Sequence, residues 1–208
     1  MSRGAGGVVA VATWLLAACH GAPGQAPDAT APDAGVVGDA GVAPAVVPWT
    51  TAPVTIDGDW TEGDWNAVAT QYIFTDRTGA QARPYSEVRV MRDHATLYLG
   101  LYAADEDIHT TDFFQVTLGA VDIRINPRGV VTASAPGIVA ASDVDGTVDH
   151  AGDYDEEWLI EAAVPLAAIA SPEGVVTLAA SRCDVTTDGV LRCGAMAATL
   201  ATAAPDGK

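Results

Sequence analysis

The stretch from Ser86 to Asp107 constrains the fold of this chain more than any other. Polar and apolar residues alternate over 86–92 and again over 96–102, which is the period of strands with one buried face. Residues 93–96, Asp-His-Ala-Thr, form a polar turn between them. In that register Val90 lies opposite Leu99, so both apolar sets fall on one face of a hairpin. The rest of the chain must cover that face.

Other segments show the same short alternation. A second hairpin is predicted over 113–118 and 121–126, and a last one over 182–197. Single strands are predicted at 53–56, 71–75, 130–134, 138–141, 158–164 and 175–181, with short helices at 61–69 and 166–169. Many short strands and little helix predict an all-β fold, an antiparallel β-sandwich of immunoglobulin-like or jelly-roll-like type. Trp60 and Trp65 are expected to close one end of its core.

The N-terminal segment has the pattern of an export signal. Arg3 supplies a positive charge, and residues 8–17 form an apolar run too short to span a bilayer as a stable anchor. The following Leu-Ala-Ala-Cys at 16–19 resembles the lipobox of bacterial lipoproteins, in which the cysteine is lipidated. We therefore expect a signal peptide over 1–18, lipid on Cys19 and a position in the bacterial cell envelope, facing the periplasm or the exterior; an ordinary signal peptide with a chance cysteine is the alternative.

Residues 19–49 differ in composition from the rest. They consist almost wholly of Gly, Ala, Pro, Asp and Val, and they show no periodicity. Such a segment cannot bury enough apolar surface to offset its ordering entropy, so it is predicted to be a disordered tether. The folded domain is expected over 50–200, with a short tail at 201–208.

The other two cysteines lie in the last predicted hairpin. Cys183 and Cys193 are each five residues from Asp188, which lies in the predicted turn, so they face each other across the ladder. A cross-strand disulfide fits the export signal. A redox pair or a metal site, the alternatives, would need closer spacing or more ligands.

The charge balance bears on partners. Acidic residues outnumber Lys and Arg by 27 to 10, which gives a formal net charge of −17. Nucleic acid is excluded as a partner because phosphate binding needs clustered positive charge. Asp105 and Asp107 follow the central hairpin, and an acidic loop is predicted around Asp143 and Asp145. Carboxylates at such density predict a Ca²⁺ site at Asp105 and Asp107, with a solvated acidic rim as the alternative.

Several motifs together resemble one known family. Thr-Ile-Asp-Gly at 55–58, Asp-Trp at 64–65, the central hairpin, Asp105 and Glu-Trp-Leu-Ile-Glu-Ala-Ala-Val-Pro at 157–165 resemble the carbohydrate-binding module family 9-like domain. The resemblance covers residues 52–200. It implies a non-catalytic sandwich, structural calcium and a sugar slot between two tryptophans. Gln115 lies where the family pattern has a glutamate, and Arg124 lies where the pattern has an arginine. Neither tryptophan of the slot is evident in this sequence.

The side chains of the second hairpin form the predicted ligand-binding face. Gln115, Arg124 and Asn126 point away from the core side and offer the donors and acceptors that sugar hydroxyls need. The alternative is an ordinary cross-strand surface contact of Arg124.

These observations favour a non-enzymatic, lipid-anchored exported protein, a monomer, whose carbohydrate-binding-like module takes glycan at the cell surface. No nucleophile-elbow, zincin or phosphate-loop motif is present in the sequence. One alternative is a structural or protein-interaction lipoprotein that has lost the sugar slot. Another is a haem-carrying electron-transfer domain with Met91 and His94, His109 or His150 as axial ligands.

Overall fold

A computed structural model describes residues 43–150, 155–171, 173–185 and 190–202. The predicted signal segment, Cys19 and most of the predicted tether lie outside the described residues, as do the turn predicted around Asp188 and residues 203–208. Within the described part, no helix has the length and apolar character needed to cross a membrane.

Two β-sheets form the domain, as the alternation predicted. The first contains six strands in the order β1-β11-β10-β5-β6-β7. Their bounds are Ala45–Val46 (β1), Phe113–Leu118 (β5), Val121–Ile125 (β6), Val131–Ala133 (β7), Val175–Val185 (β10) and Leu191–Ala201 (β11). Neighbouring strands are antiparallel except β1, which pairs in parallel with β11 through Ala45 and Leu200.

The second sheet contains five antiparallel strands in the order β2-β3-β4-β9-β8. Their bounds are Thr70–Ile73 (β2), Ser86–Arg92 (β3), Thr96–Ala104 (β4), Val139–Asp145 (β8) and Glu157–Pro165 (β9). The central hairpin is confirmed in register, since Val90 pairs with Leu99. Two four-residue helices, α1 (Asp64–Ala67) and α2 (Leu166–Ile169), complete the fold.

The inner faces of the sheets share one core, which makes the fold a β-sandwich. Val88, Leu99 and Ile160 of the five-stranded sheet and Val116 and Ile123 of the six-stranded sheet are fully buried in the same cluster. Burying a side chain of this size contributes roughly 1.5–3 kcal/mol. The predicted apolar face of the central hairpin is therefore covered by the second hairpin and its neighbours.

Three local predictions were wrong. Residues 53–56 form no strand, and the predicted loop at Asp143 and Asp145 is the end of β8. Trp60 and Trp65 do not close the sandwich core, because Trp65 belongs to a separate buried cluster with Met91 and Tyr98. Met91 pairs with Tyr98 in register, and both alternate with core residues along their strands. The cluster therefore lies on the outer face of the five-stranded sheet.

Candidate binding cleft

A glycine on the outer face of the five-stranded sheet allows two tryptophans to lie against it. A Cβ atom on Gly100 of β4 would lie 2.8 Å from the ring of Trp60 and 2.9 Å from that of Trp65. With glycine at this position the two indoles stack, with ring centroids 5.7 Å apart and an interplanar angle of 23°. Trp65 is buried, and Trp60 is half-buried.

Beside these tryptophans lies a cleft of about 270 Å³, which we call the aromatic cleft. Its lining residues are Trp60, Tyr85, Glu87, Arg89, Tyr102, Glu157 and Leu159. The ring centroid of Tyr102 lies 6.3 Å from that of Trp60 and 5.7 Å from that of Tyr85, so three aromatic rings form a continuous row. Because Glu87, Tyr102 and Leu159 pair across three adjacent strands, their side chains share one face of the sheet.

A buried carboxylate beneath the cleft ties the preceding loop to the sheet. Glu161 of β9 is fully buried and accepts hydrogen bonds from the backbone N–H groups of Asp57 and Gly58 at 3.0 and 3.1 Å. The indole Nε1–H of Trp65 donates a third, at 2.6 Å. Burial raises the pKa of Glu161 to about 7, although these three donors oppose the shift. The loop that carries Trp60 is therefore anchored from below.

Polar contacts hold the wall of the cleft formed by β3. The Nε of Arg89 lies 2.6 Å from Glu87, and the guanidinium carbon lies 4.7 Å from the ring centroid of Trp60. The hydroxyl of Tyr85 donates a hydrogen bond to Glu87, whose side chain is almost fully buried. Burial and this bond to Glu87 raise the pKa of Tyr85 to about 12, so its hydroxyl stays protonated. Burial and a hydrogen bond to Glu157 likewise raise the pKa of Tyr102.

The predicted ligand-binding face lies on the other sheet. Gln115 and Arg124 are directly paired across β5 and β6, as expected. The guanidinium of Arg124 is exposed and lies 3.5 Å over the ring of Phe113. The side chain of Asn126, by contrast, accepts hydrogen bonds from the N–H groups of Arg128 and Val130, so its oxygen closes a turn. The structure thus brings Gln115 and Arg124 together and assigns Asn126 a local structural contact.

The two predicted calcium ligands, Asp105 and Asp107, have different surroundings. Asp105 is buried with Asp112 and Asp184, and one carboxylate oxygen from each lies within 4.8 Å of the others. We call this group the acid triad. Asp107 is half-buried and lies 3.4 Å from the imidazole of His109 instead. The disulfide prediction, in contrast, is confirmed: Cys183 and Cys193 pair in register and are bonded.

The acid triad fits a divalent cation. Oxygen ligands of Ca²⁺ lie about 2.3–2.6 Å from the ion, so oxygens within 4.8 Å of one another can share it. Arg182 is buried and its Nη2 lies 2.5 Å from Asp105. Burial raises the pKa of Asp105 and of Asp184, although the charge of Arg182 opposes the shift at both. Asp105, Asp112 and Asp184 are the residues that would hold Ca²⁺.

Alternation along single strands does not predict the aromatic cleft. Tyr102 does lie at an outward position of the predicted β4, two residues after Gly100, and that alternation was a usable signal. Trp60 and Tyr85 lie before strands β2 and β3, and Glu157 begins β9. Their proximity depends on strand order in the sheet, which alternation along one strand does not reveal.

Solved structures that are similar to this chain include two of one carbohydrate-binding module. Both are a carbohydrate binding module family 9 from Caldicellulosiruptor kristjanssonii, one in complex with cellotriose and one with glucose. The cellotriose complex has a TM-score of 0.56 and 14% identity, over 74% of this chain and 83% of that one. The glucose complex has a TM-score of 0.57 and 14% identity, over 78% of this chain and 97% of that one.

No family model and no curated protein matches this chain. The likeness is therefore one of three-dimensional structure, and it agrees with the motifs at 55–65 and 157–165. The domain has a carbohydrate-binding module family 9-like fold.

Proposed function

We propose that this protein is a non-catalytic glycan-binding module and that the aromatic cleft is its binding surface. The observation that carries this proposal is the row formed by Trp60, Tyr102 and Tyr85 beside Glu157. Aromatic faces pack against the C–H faces of a sugar ring, and a carboxylate accepts hydrogen bonds from its hydroxyls. Similarity of fold to modules solved with cellotriose and glucose supports this class of ligand.

The cleft is suited to weak, selective binding. It is small, and its aromatic walls rest on a rigid base: Gly100 lies under the indoles and Glu161 anchors the loop. Preformed sites limit the entropy lost on binding, while the small apolar area limits affinity. A short glycan segment is the ligand size that such a cleft can cover.

A binding test can separate the two candidate faces. A glycan array with the full-length protein should identify oligosaccharide ligands, and calorimetry with cellotriose should then measure affinity. We expect Trp60→Ala to weaken binding by about tenfold or more, because one stacking surface is lost. Arg124→Ala should leave it unchanged, since Arg124 lies on the outer face of the six-stranded sheet. Melting curves of both variants check that the fold is retained.

The opposite pattern would place the site at the sequence-predicted face. Arg124 is exposed beside Gln115, and its donors are accessible, which is the specific observation in favour of this second candidate. Loss of binding in Arg124→Ala with retention in Trp60→Ala would reject the aromatic cleft. Absence of any glycan ligand would favour the structural or protein-interaction lipoprotein.

We also propose that lipid on Cys19 holds the module at a membrane of the bacterial cell envelope. The Leu-Ala-Ala-Cys motif after a short apolar run supports this. Cys19→Ser should move the protein from the membrane fraction to the soluble fraction, because several acyl chains are lost together. Unchanged membrane retention of that variant would contradict lipid anchoring.

A further inference from the structure

The guanidinium group of Arg89 supplies the positive charge in the aromatic cleft, and it already contacts other groups of the protein. Arg89 directs its Nε to Glu87 at 2.6 Å and its Nη1 to the carbonyl of Trp65 at 2.9 Å and to Asn66 at 2.5 Å. One face of its guanidinium also packs over Trp60. Arg89 therefore holds the wall and the loop of the cleft together, and it is poorly placed to bind an anionic ligand.

The carboxylate of Glu87 is likewise engaged in contacts within the protein. Its side chain is only 4% exposed, and it accepts hydrogen bonds from Arg89, Tyr85 and Gln71. A carboxylate satisfied by three donors and paired with a guanidinium presents little free charge to the cleft. The ion pair of Glu87 and Arg89 is thus close to neutral from the viewpoint of a ligand.

Glu157 provides the uncompensated charge of the cleft. It is half-buried and its protein partner is the hydroxyl of Tyr102, a neutral donor. On the neighbouring strand, Asp145 is directly opposite Glu157, and Asp143 is opposite Leu159, another lining residue. Both aspartates are exposed. Within the described residues, no arginine, lysine or histidine forms an ion pair with any of these three carboxylates.

Like charges directly opposite each other on adjacent strands are destabilising. The pair of Asp145 and Glu157 therefore raises the free energy of the unliganded sheet edge, and a cation bound between the strand edge and the aromatic rings would lower it. The lining residues carry one net negative charge, from Glu87, Arg89 and Glu157, and the two aspartates of β8 add two more. A cation beside a carboxylate and above aromatic rings is stabilised by both.

We propose that the aromatic cleft selects a sugar unit that carries a protonated amine, a proposal that rests on the glycan-binding function above. The sugar ring would pack against Trp60 and Tyr102, with its ammonium group at Glu157. Sugars with carboxylate or sulfate groups are excluded, because they would meet the acidic edge without a free cation to bind them. Neutral sugars bind through the aromatic contacts and hydrogen bonds without the ion pair, and more weakly.

The test compares three matched trisaccharides on the full-length protein by calorimetry: the β-1,4-linked glucosamine trimer, its fully N-acetylated form and cellotriose. We expect the amine trimer to bind about fivefold to tenfold more tightly than the other two, as one partly desolvated ion pair provides. Added salt should weaken only the amine trimer. Glu157→Gln should abolish the preference, because it weakens the amine trimer more than the other two. Glu173→Gln, the same change in the exposed turn before β10, should keep the preference.

The outcomes separate the two proposals. Binding of none of the trimers would reject the glycan-binding function itself. Equal binding of all three, unchanged by Glu157→Gln, would reject amine selection and leave the glycan function standing. A lysine-rich peptide that binds more tightly than the amine trimer would also reject amine-sugar selection, and would indicate a protein partner instead.

Discussion

Trp60 lies directly over Gly100, and a single added methyl group at that glycine would come within 2.8 Å of the indole. This relationship joins a loop before β2 to the centre of β4. It places the aromatic ring of Trp60 beside Tyr102 and thereby forms one side of the aromatic cleft. The cleft therefore depends on the absence of a side chain at one position of an otherwise regular strand.

Gly100→Ala should destabilise the domain and impair the cleft together. The new methyl group overpacks against two indoles, which costs about 1–3 kcal/mol and displaces Trp60. Urea unfolding followed by tryptophan fluorescence measures the first effect, and cellotriose titration measures the second. Gly63→Ala is the matched control, because a Cβ atom there meets nothing within 4 Å. Equal stability of both variants would show that the indoles do not lie against β4.

Glu161 should make stability depend on pH. Its pKa is about 7 in the folded state against an ordinary value of 4.5, so the folded protein holds a proton that the unfolded chain has lost. The stability contributed by this group is therefore highest below pH 4.5 and falls as pH rises to about 7, by on the order of 3 kcal/mol.

Glu161→Gln should remove that fall between pH 5 and pH 8. The variant should also be less stable at every pH, because its single oxygen cannot accept from all three N–H donors of Asp57, Gly58 and Trp65, and an unsatisfied buried donor costs about 1–3 kcal/mol. Urea unfolding at both pH values gives the comparison. A pH dependence identical to that of the unaltered protein would assign the titration to another group.

The acid triad should couple stability to calcium. We expect the melting temperature to rise in millimolar Ca²⁺ relative to chelator, because a ligand that binds only the folded state stabilises it. Asp184→Asn should abolish the shift, since Asp184 belongs to the triad. Asp107→Asn should retain it, because Asp107 contacts His109 instead. A shift lost in Asp107→Asn and kept in Asp184→Asn would restore the ligand set predicted from sequence.

The disulfide should contribute measurably to the stability of the long β10–β11 hairpin. Replacing both Cys183 and Cys193 with serine should lower the free energy of unfolding by roughly 3 kcal/mol, because the bond restricts the unfolded chain. Unfolding curves with and without reductant should show the same difference in the unaltered protein. Alkylation of both thiols without reductant, seen by intact mass, would contradict the bond.

The sequence by itself determined the two sheets in outline and several exact pairings. Strand alternation has a period of two, so a short turn sets the register of a local hairpin: Val90 pairs with Leu99, Gln115 with Arg124 and Cys183 with Cys193. These contacts join residues close in the chain, and propensity and patterning act over that range. The same patterns correctly predicted a β-sandwich.

Only the tertiary structure decided where chemically useful side chains meet. Trp60, Tyr102 and Glu157 come from three separated segments and line one cleft because β3, β4 and β9 are neighbours in the sheet. Asp112 and Asp184 lie at neighbouring strands of the six-stranded sheet, and Asp105 follows β4 of the other sheet, so the packing of the two sheets brings the acid triad together. Asp107, two residues from Asp105 in sequence, lies beside His109 instead. Alternation tells which face a side chain occupies, but strand order and the packing of indoles on Gly100 determine its neighbours.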